Sequence, residues 1–183
     1  MDRRTLLTGG GTLLVAAALT RNAEARATRV PATPEDSRFM QLAIDQAKQG
    51  DYPFGAIIVR DDKVLALGRN STKRNHDPTA HAEMVAIRAF LKGHEPDDFK
   101  GTTIYSSGEP CPMCMGAIVW CGFKRLVYAA SIAELAQKIG QINVTARQIA
   151  NATPFADIEM TGGLLSGNAL RLFDQHKGSN GEK

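Results

Sequence analysis

Two short stretches of the chain, His81-Ala82-Glu83 and Pro110-Cys111-Pro112-Met113-Cys114, contain the residue types of a catalytic zinc site. A catalytic zinc ion takes three protein ligands and keeps a fourth position for water. One histidine and two cysteine thiolates meet that number. The sequence therefore predicts that His81, Cys111 and Cys114 bind one Zn²⁺ per chain.

Glu83 lies two residues after His81, and we predict a different role for it. Residues two apart on a helix do not share a face, so Glu83 is badly placed to bind the same ion as His81. A free carboxylate beside the water position suits proton transfer, and Glu83 is the predicted catalytic acid and base. The alternative is a zinc-binding protein without activity, but a structural site usually has a fourth protein ligand and needs no free carboxylate.

Both stretches lie where helices are predicted to begin. Asp77-Pro78-Thr79 is a turn and helix-start signal before the amphipathic run 80–91, and a proline suits the first turn of a helix over 113–119. Cys111 and Cys114 would then point the same way. The unpaired N–H groups of a helix N-terminus stabilise thiolates, which are the form that binds zinc.

Further motifs surround these residues: Pro53-Phe54-Gly55-Ala56, Gly68-Arg69-Asn70, Asp77-Pro78-Thr79-Ala80 and Glu109-Pro110. With them the sequence resembles the zinc-dependent cytidine deaminase-like superfamily. It is most similar to the branch of guanine deaminases and tRNA adenosine deaminases, over residues 39–130. The resemblance implies hydrolytic removal of an amino group from a nucleobase or nucleoside, and a homodimer. It also implies that Asn70 holds the substrate, that the Ala82 N–H contacts the base, and that Phe54 either stacks on the base or packs in the core.

The identity of the base depends on a loop after the fourth predicted strand. The resemblance implies a purine similar to guanine, yet related guanine deaminases carry acidic residues where this chain has Gly140-Gln141-Ile142-Asn143. We therefore expect weaker turnover of guanine than in those relatives, or a preference for another purine or nucleoside. Glu134 or Asp157 could supply the missing acid. Adenosine in tRNA and cytosine or cytidine remain alternative substrates.

The charge of the chain argues against a nucleic-acid partner. Residues 1–25 hold three Arg and two acidic residues, and the remainder has 19 basic and 17 acidic residues, a net charge of +2. Binding of RNA normally requires a basic face. A small-molecule nucleobase or nucleoside is therefore the predicted partner.

The first residues indicate export. Arg3-Arg4 precedes an apolar run at 12–19, which is typical of a twin-arginine signal and too short to span a bilayer. Cleavage after Ala25 or Ala27 would follow a small-x-small pattern. We predict a signal peptide at 1–27, a tether at 28–34, a zinc deaminase domain at 35–183 and a periplasmic location, with membrane contact only during export.

The pattern of apolar residues predicts an α/β fold. Strands are expected at 55–60, 64–69, 102–107, 125–130 and 158–161, with a hairpin between the first two. Helices are expected at 39–49, 80–91, 113–119, 132–139 and 164–173, and residues 140–155 receive no assignment. Helices alternating with short apolar strands imply a mixed sheet of about five strands in a three-layer α/β/α sandwich, which is also the cytidine deaminase-like fold.

Overall fold

The structure is a computed structural model in which residues 27–155 and 157–179 are described. The strands are β1 (Ala27–Arg29), β2 (Gly55–Arg60), β3 (Lys63–Arg69), β4 (Thr103–Gly108), β5 (Arg125–Ala130) and β6 (Ile158–Gly162). The helices are α1 (Asp36–Ala47), α2 (Ala82–Phe90), α3 (Pro112–Cys121), α4 (Ile132–Leu135), α5 (Ala146–Asn151) and α6 (Ser166–Ser179), with a 3₁₀ turn at Pro96–Phe99. None of the helices in the described ranges is long and apolar enough to cross a membrane.

The strands form one mixed sheet in the order β1-β6-β5-β4-β2-β3. The first four strands in this order run parallel, whereas β2 is antiparallel to both of its neighbours. Alternate residues of each strand face opposite sides of a sheet. Ile58 and Ile104 accordingly pack on the side of α2, α3 and α5, and Ile57 and Tyr105 pack on the side of α1 and α6. The predicted three-layer α/β/α sandwich is confirmed.

The predicted hairpin joins β2 to β3 through a two-residue turn. Arg60 pairs with Lys63, and Asp61 and Asp62 both have positive φ, at 50° and 58°. Two consecutive left-handed residues match the right-handed twist of a hairpin, and aspartate tolerates this conformation better than most residues. Lys63 therefore belongs to the strand and not to the turn.

Close packing of α2 on β3 depends on Gly68. A Cβ atom at this position would lie 2.1 Å from the Ala82 carbonyl oxygen and 2.5 Å from the Ala86 nitrogen. The absence of a side chain lets the start of α2 approach the sheet directly. The beginning of this helix is thereby fixed against the strand that ends at Arg69.

The described part of the chain begins at Ala27, the residue predicted to end the signal peptide. The predicted signal boundary at Ala27 falls inside β1, and the tether at 28–34 begins within the same strand, which pairs in parallel with β6. Ala27 is buried; its N–H donates to Asn151 Oδ1 at 3.0 Å, and its carbonyl oxygen accepts from Arg147 at 2.8 Å. A three-residue edge strand is too short to leave a clear pattern in the sequence. Residues 1–26, with the twin-arginine pair, lie outside the described residues.

The region after β5 also departs from expectation. The helix predicted at 132–139 ends at Leu135, and the unassigned residues 140–155 contain α5. Each of these short helices begins with a capping box, formed by Ser131 with Glu134 and by Thr145 with Gln148. Helices of four and six residues leave almost no periodic signal, so their caps are the only strong sequence marks.

Candidate active site

The three predicted zinc ligands lie at the beginnings of two helices. His81 is the N-cap residue of α2 and Cys111 is the N-cap residue of α3, and both have extended backbone. Asp77 shapes the turn before α2, because its Oδ1 accepts from the N–H and the hydroxyl of Thr79. The helix therefore begins at Ala82 and not at residue 80. Cys114, in the first turn of α3, faces back toward Cys111.

The spacing of the ligand atoms fits a tetrahedral zinc ion. His81 Nδ1 lies 3.6 Å from Cys111 Sγ and 3.6 Å from Cys114 Sγ, and all three ligand atoms lie within 4.8 Å of one another. Nitrogen and sulfur ligands about 2.0 Å and about 2.3 Å from one tetrahedral centre would be about 3.5 Å apart. The residues present therefore match zinc in both donor type and distance.

The two thiols are coupled to each other and to His81. The hydrogen bond from Cys114, followed by that from His81, lowers the pKa of Cys111 to about 4, despite partial burial. The same contact with Cys111, together with burial, raises the pKa of Cys114. The pair therefore loses its first proton more readily than its second, and binding of a metal cation favours loss of both.

Glu83 is the second residue of α2 and is 5% exposed. Burial raises the pKa of its carboxyl group, and the backbone N–H of Glu83 and the Ser106 hydroxyl oppose this only in part. The Ser106 hydroxyl, on β4, donates to Glu83 Oε1 at 3.0 Å. A buried carboxyl group with a raised pKa is typical of a residue that accepts and releases protons in catalysis.

A pocket of about 240 Å³ opens in front of this cluster. Its walls are formed by residues from five segments of the chain: Tyr52, Phe54, Asn70, Thr72, His81, Glu83, Glu109, Cys111, Ile139, Gly140, Gln141 and Ile142. The volume lies below the range of about 300–1,000 Å³ that is usual for drug-sized ligands. The pocket therefore suits one small planar molecule.

The structure places two of the predicted substrate contacts in this wall. Asn70 is 3% exposed, and its Oδ1 accepts from the N–H and hydroxyl of Thr72. Across residues 27–155 and 157–179 no acceptor contacts Asn70 Nδ2, which leaves this amide able to donate to a ligand. The Phe54 ring lines the pocket and packs edge-on against Phe173 at 5.1 Å, so it belongs to both the core and the pocket.

Ala82 does not line the pocket with its side chain, which is fully buried. It is the first residue of α2, so its backbone N–H has no acceptor within the helix. The acids considered as replacements, Glu134 and Asp157, are not among the pocket residues. Glu134 instead caps α4 and accepts from Ser166, while Gln141 and Ile142 occupy the predicted wall and Asn143 does not.

Four further residues of the pocket wall had no predicted role: Tyr52, Thr72, Glu109 and Ile139. Glu109 belongs to the motif that carries the cysteines, and this proximity was the only signal in the sequence. Tyr52 and Thr72 flank the motifs that contain Phe54 and Asn70. Their place in the wall follows from how the loops fold together at the carboxyl end of β4.

Comparison with known proteins identifies the family. The family described as the cytidine and deoxycytidylate deaminase zinc-binding region matches residues 33–130, which is more than half of the chain. The chain belongs to this family. The protein is thus a zinc-binding deaminase, and its relatives act on nucleobases or nucleosides.

Individual relatives of this deaminase differ in the base on which they act. A guanine deaminase of Bacillus subtilis is 40% identical over 104 residues, which cover 54% of this chain and 67% of the relative. A tRNA-specific adenosine deaminase of Buchnera aphidicola (subsp. Baizongia pistaciae) is 41% identical over 111 residues, covering 57% of this chain and 67% of the relative. The structure of a guanine deaminase from Nitrosomonas europaea superposes with a TM-score of 0.66 at 25% identity, over 80% of this chain and 86% of that one. Overall identity therefore does not select one substrate.

Zinc is the cofactor of this deaminase domain, and His81, Cys111 and Cys114 are the residues that would hold it. Bound zinc lowers the pKa of a coordinated water to about 7 and so supplies a nucleophile at neutral pH. The protein contributes the two helix N-termini, whose dipoles favour the thiolates. It also contributes the buried carboxyl of Glu83 in the wall of the same pocket.

Proposed function

We propose that the protein hydrolyses the exocyclic amino group of a free purine base or nucleoside, releasing ammonia. The observation that carries this proposal is the position of Glu83, buried in the pocket wall beside the metal ligands His81 and Cys111. A non-catalytic zinc protein has no need for a carboxyl group with a raised pKa in a ligand-sized pocket.

Glu83 transfers the protons in this reaction. Its carboxylate takes a proton from the attacking water and delivers protons to the ring nitrogen and then to the departing amine. The C–N bond breaks and a carbonyl forms at the ring carbon. The ring nitrogen keeps one proton of the attacking water, and ammonia leaves with the two amine protons and the other proton of the water. The Ser106 hydroxyl donates to Glu83 Oε1 at 3.0 Å and so orients the carboxyl group for the proton transfers.

The remaining pocket residues orient the ring. Asn70 Nδ2 donates to the base, the Ala82 backbone N–H contacts it, and the Phe54 ring stacks against it. Each role is compatible with the positions described above, namely a free amide hydrogen, a first-turn N–H and a ring in the wall. A planar heterocycle held at three points would present its amino-bearing carbon to the water.

The charge of the chain supports a small purine over tRNA, and the residues of the pocket wall bear on which purine is preferred. A net charge of +2 for residues 26–183 gives no excess suited to a polyanion. The wall formed by Gln141 and Ile142 offers an amide and an apolar side chain. The resemblance to guanine deaminases implies an acid at this place in those enzymes. Sites that match a specific polar edge reject partners that lack the match, so guanine turnover is expected to be weaker than in acid-bearing relatives.

A panel of substrates tests this proposal. Ammonia release is measured as kcat/KM for guanine, adenine, their nucleosides, cytosine, cytidine and a tRNA anticodon stem-loop containing adenosine. We expect purine bases or nucleosides to exceed the pyrimidines and the RNA. A cytosine, cytidine or RNA optimum would overturn the proposal, and a strong guanine optimum would show that another group replaces the missing acid.

We also propose that the protein is exported to the periplasm by the twin-arginine route, with cleavage after Ala25. Ala27 is buried, and both its N–H and its carbonyl oxygen form hydrogen bonds. Cleavage after Ala27 would remove this residue from β1. Changing Arg3 and Arg4 to Lys should retain the precursor in the cytoplasm. Intact mass of the mature protein should give Arg26 as its first residue, and delivery of the Lys variant to the periplasm would contradict the route.

A homodimer is proposed from one exposed apolar feature together with the resemblance to dimeric relatives. Trp120 on α3 is 77% exposed, and its ring lies 4.5 Å from the ring of Phe155. Contiguous exposed apolar surface is a feature of interaction sites, and these two aromatic rings would contribute to such a surface. Sedimentation of the wild type and of Trp120→Glu should show a dimer that the substitution dissociates; a monomeric wild type would contradict the proposal.

A further inference from the structure

Glu109 is a buried carboxylate in the pocket wall that the proposed proton transfers do not use. It follows β4 directly, is 6% exposed, and its N–H donates to the Ala130 carbonyl at 2.7 Å. Its Oε2 accepts from the N–H of Ile132 at 2.9 Å, and its Oε1 accepts from the N–H of Ala146 at 2.9 Å. One side chain therefore binds the first residues of both α4 and α5.

The segment between these two helices contains the wall of the pocket. Residues 136–145 connect α4 to α5, and Ile139, Gly140, Gln141 and Ile142 line the pocket. Within the part of the chain that is described, no hydrogen bond joins residues 140–143 to the sheet, to α2 or to α3. Val144 N–H donates to the Ile142 carbonyl, which is a contact inside the segment. Ile139 packs against the apolar core on the side of α1 and α6, and Lys138 pairs with Asp174 of α6 at 2.6 Å. The position of residues 140–142 therefore depends on how the two ends of the segment are held.

A carboxylate is well suited to hold both ends. Hydrogen bonds from N–H groups to an ionised acceptor are about twice as strong as neutral ones, and a first-turn N–H has no acceptor in its own helix. Because Glu109 lies two residues before Cys111, it joins the wall to the chain that carries the metal ligands. A movement of either helix would leave a buried oxygen or N–H without a partner, which is costly.

We propose that Glu109 is a positioning residue that sets the distance between the wall at 139–142 and the metal site, and thereby determines substrate affinity and selection. This proposal rests on the proposed deamination of a small base. It assigns Glu109 no proton transfer and no contact with the reacting atoms. Glu109 affects substrate binding indirectly, through the positions of Gln141 and Ile142.

Glu109→Gln tests the proposal, with Glu134→Gln as a matched control. The amide keeps the size of the side chain but turns one acceptor into a donor, which faces the N–H of Ile132 or Ala146. We expect unchanged zinc content, kcat within about threefold of the wild type, and a KM raised roughly tenfold to a hundredfold, as for loss of one charge-assisted hydrogen bond. The kcat/KM values for different purines should also become more similar to one another. Glu134→Gln removes a carboxylate from the same end of α4, outside the pocket, and should leave KM unchanged.

Hydrogen exchange measures the positioning without any substrate. In Glu109→Gln the amides of Ile132, Ala146 and residues 139–145 should exchange faster, and those of β4 should not. Glu109→Asp keeps the charge but reaches only one of the two N–H groups, so its KM and exchange should lie between those of the wild type and the Gln variant. The Asp variant also provides the test if Glu109→Gln does not fold.

Three results would overturn the proposal. Unchanged exchange at 139–145 in both variants would show that the carboxylate does not hold the segment. A fall in kcat at constant KM, or loss of zinc, would place Glu109 in the chemistry or in support of Cys111. Loss of one substrate alone, with unchanged exchange, would make Glu109 a direct reader of the base. If the wild type deaminates nothing on the panel, the proposed function fails, while the exchange result still decides whether Glu109 positions the wall.

Discussion

Two buried carboxylates, Glu83 and Asp36, lie on opposite faces of β4 and have opposite properties. Ser106 donates one hydrogen bond to Glu83, and the adjacent Tyr105 donates one to Asp36 from the other face. Asp36 is fully buried and has four donors: the Tyr105 hydroxyl, two guanidinium nitrogens of Arg125 and the Thr33 N–H. Burial tends to raise the pKa of Asp36, but hydrogen bonds from Arg125, Thr33 and Tyr105 outweigh it and lower the pKa. Burial dominates at Glu83, and its pKa is raised.

This difference shows that the hydrogen-bond donors around a buried carboxyl group, more than its burial, decide the direction of its pKa shift. The four donors of Asp36 stabilise its charge and join the first residue of α1 to β4 and β5. Glu83 has fewer donors and remains able to exchange a proton, at a cost in stability. Asp36 therefore stabilises the fold, whereas Glu83 has the proposed catalytic role. Substitutions at the two residues should separate effects on stability from effects on turnover.

The largest expected effect is on turnover in Glu83→Gln. Because the same carboxyl group would carry each proton transfer, kcat should fall by about 10²–10⁴-fold or more. The neutral amide removes the cost of burying a charge, so the melting temperature should be equal or higher and zinc content unchanged. Ammonia release and calorimetry on the same preparation check both. Near-normal turnover would assign the proton transfers to another residue.

Cys111→Ala should affect both activity and stability. Loss of one thiolate leaves two ligands, which cannot hold the ion tightly, and the binding free energy of the metal contributes to folding. We expect zinc well below one ion per chain, no measurable turnover and a lower melting temperature. Cys121→Ala, at the half-buried cysteine outside the metal cluster, is the control and should keep its zinc. Full zinc content in Cys111→Ala would remove this residue from the site.

Asp36→Asn should reduce stability while leaving the chemistry intact. The substitution leaves Arg125 without its buried partner, and breaking such a pair costs about 3–5 kcal/mol in the free energy of unfolding. Tyr105→Phe removes only one donor, for which about 1–3 kcal/mol is expected. Urea unfolding measures both, and turnover per folded molecule should stay within a few fold of the wild type. Equal stability of Asp36→Asn and wild type would contradict the structural role.

The smallest effect is the pH dependence of that stability. Since the folded-state pKa of Asp36 lies below the unfolded value near ~3.9, its contribution is fully present above that value and is lost as pH falls through the folded pKa. The difference in unfolding free energy between wild type and Asp36→Asn should be constant from pH 5 to 7 and shrink below about pH 4. A difference that grows on acidification would reverse the assigned shift.

Much of the site was predictable from the sequence because its ligands lie within two short motifs. His81, Cys111 and Cys114 meet as predicted, and Asn70 and Phe54 lie in the pocket wall. The start of α2 was predicted two residues early, because the extended conformation of His81 depends on the turn at Asp77. The side-chain contacts that complete the pocket were not predictable in the same way.

The sequence by itself determined the donor set, the hairpin at Asp61-Asp62 and the alternation of helices with apolar strands. These features depend on residue type and on spacings of a few residues, so they can be inferred without a fold. Only the tertiary structure decided the partners of Glu109 and Asp36 and the place of Ala27. Glu109 meets Ala146 at a separation of 37 residues, and Asp36 meets Arg125 at 89. Such contacts depend on the order of strands in the sheet, since a buried polar group binds whichever partner the packing brings near and leaves no local pattern.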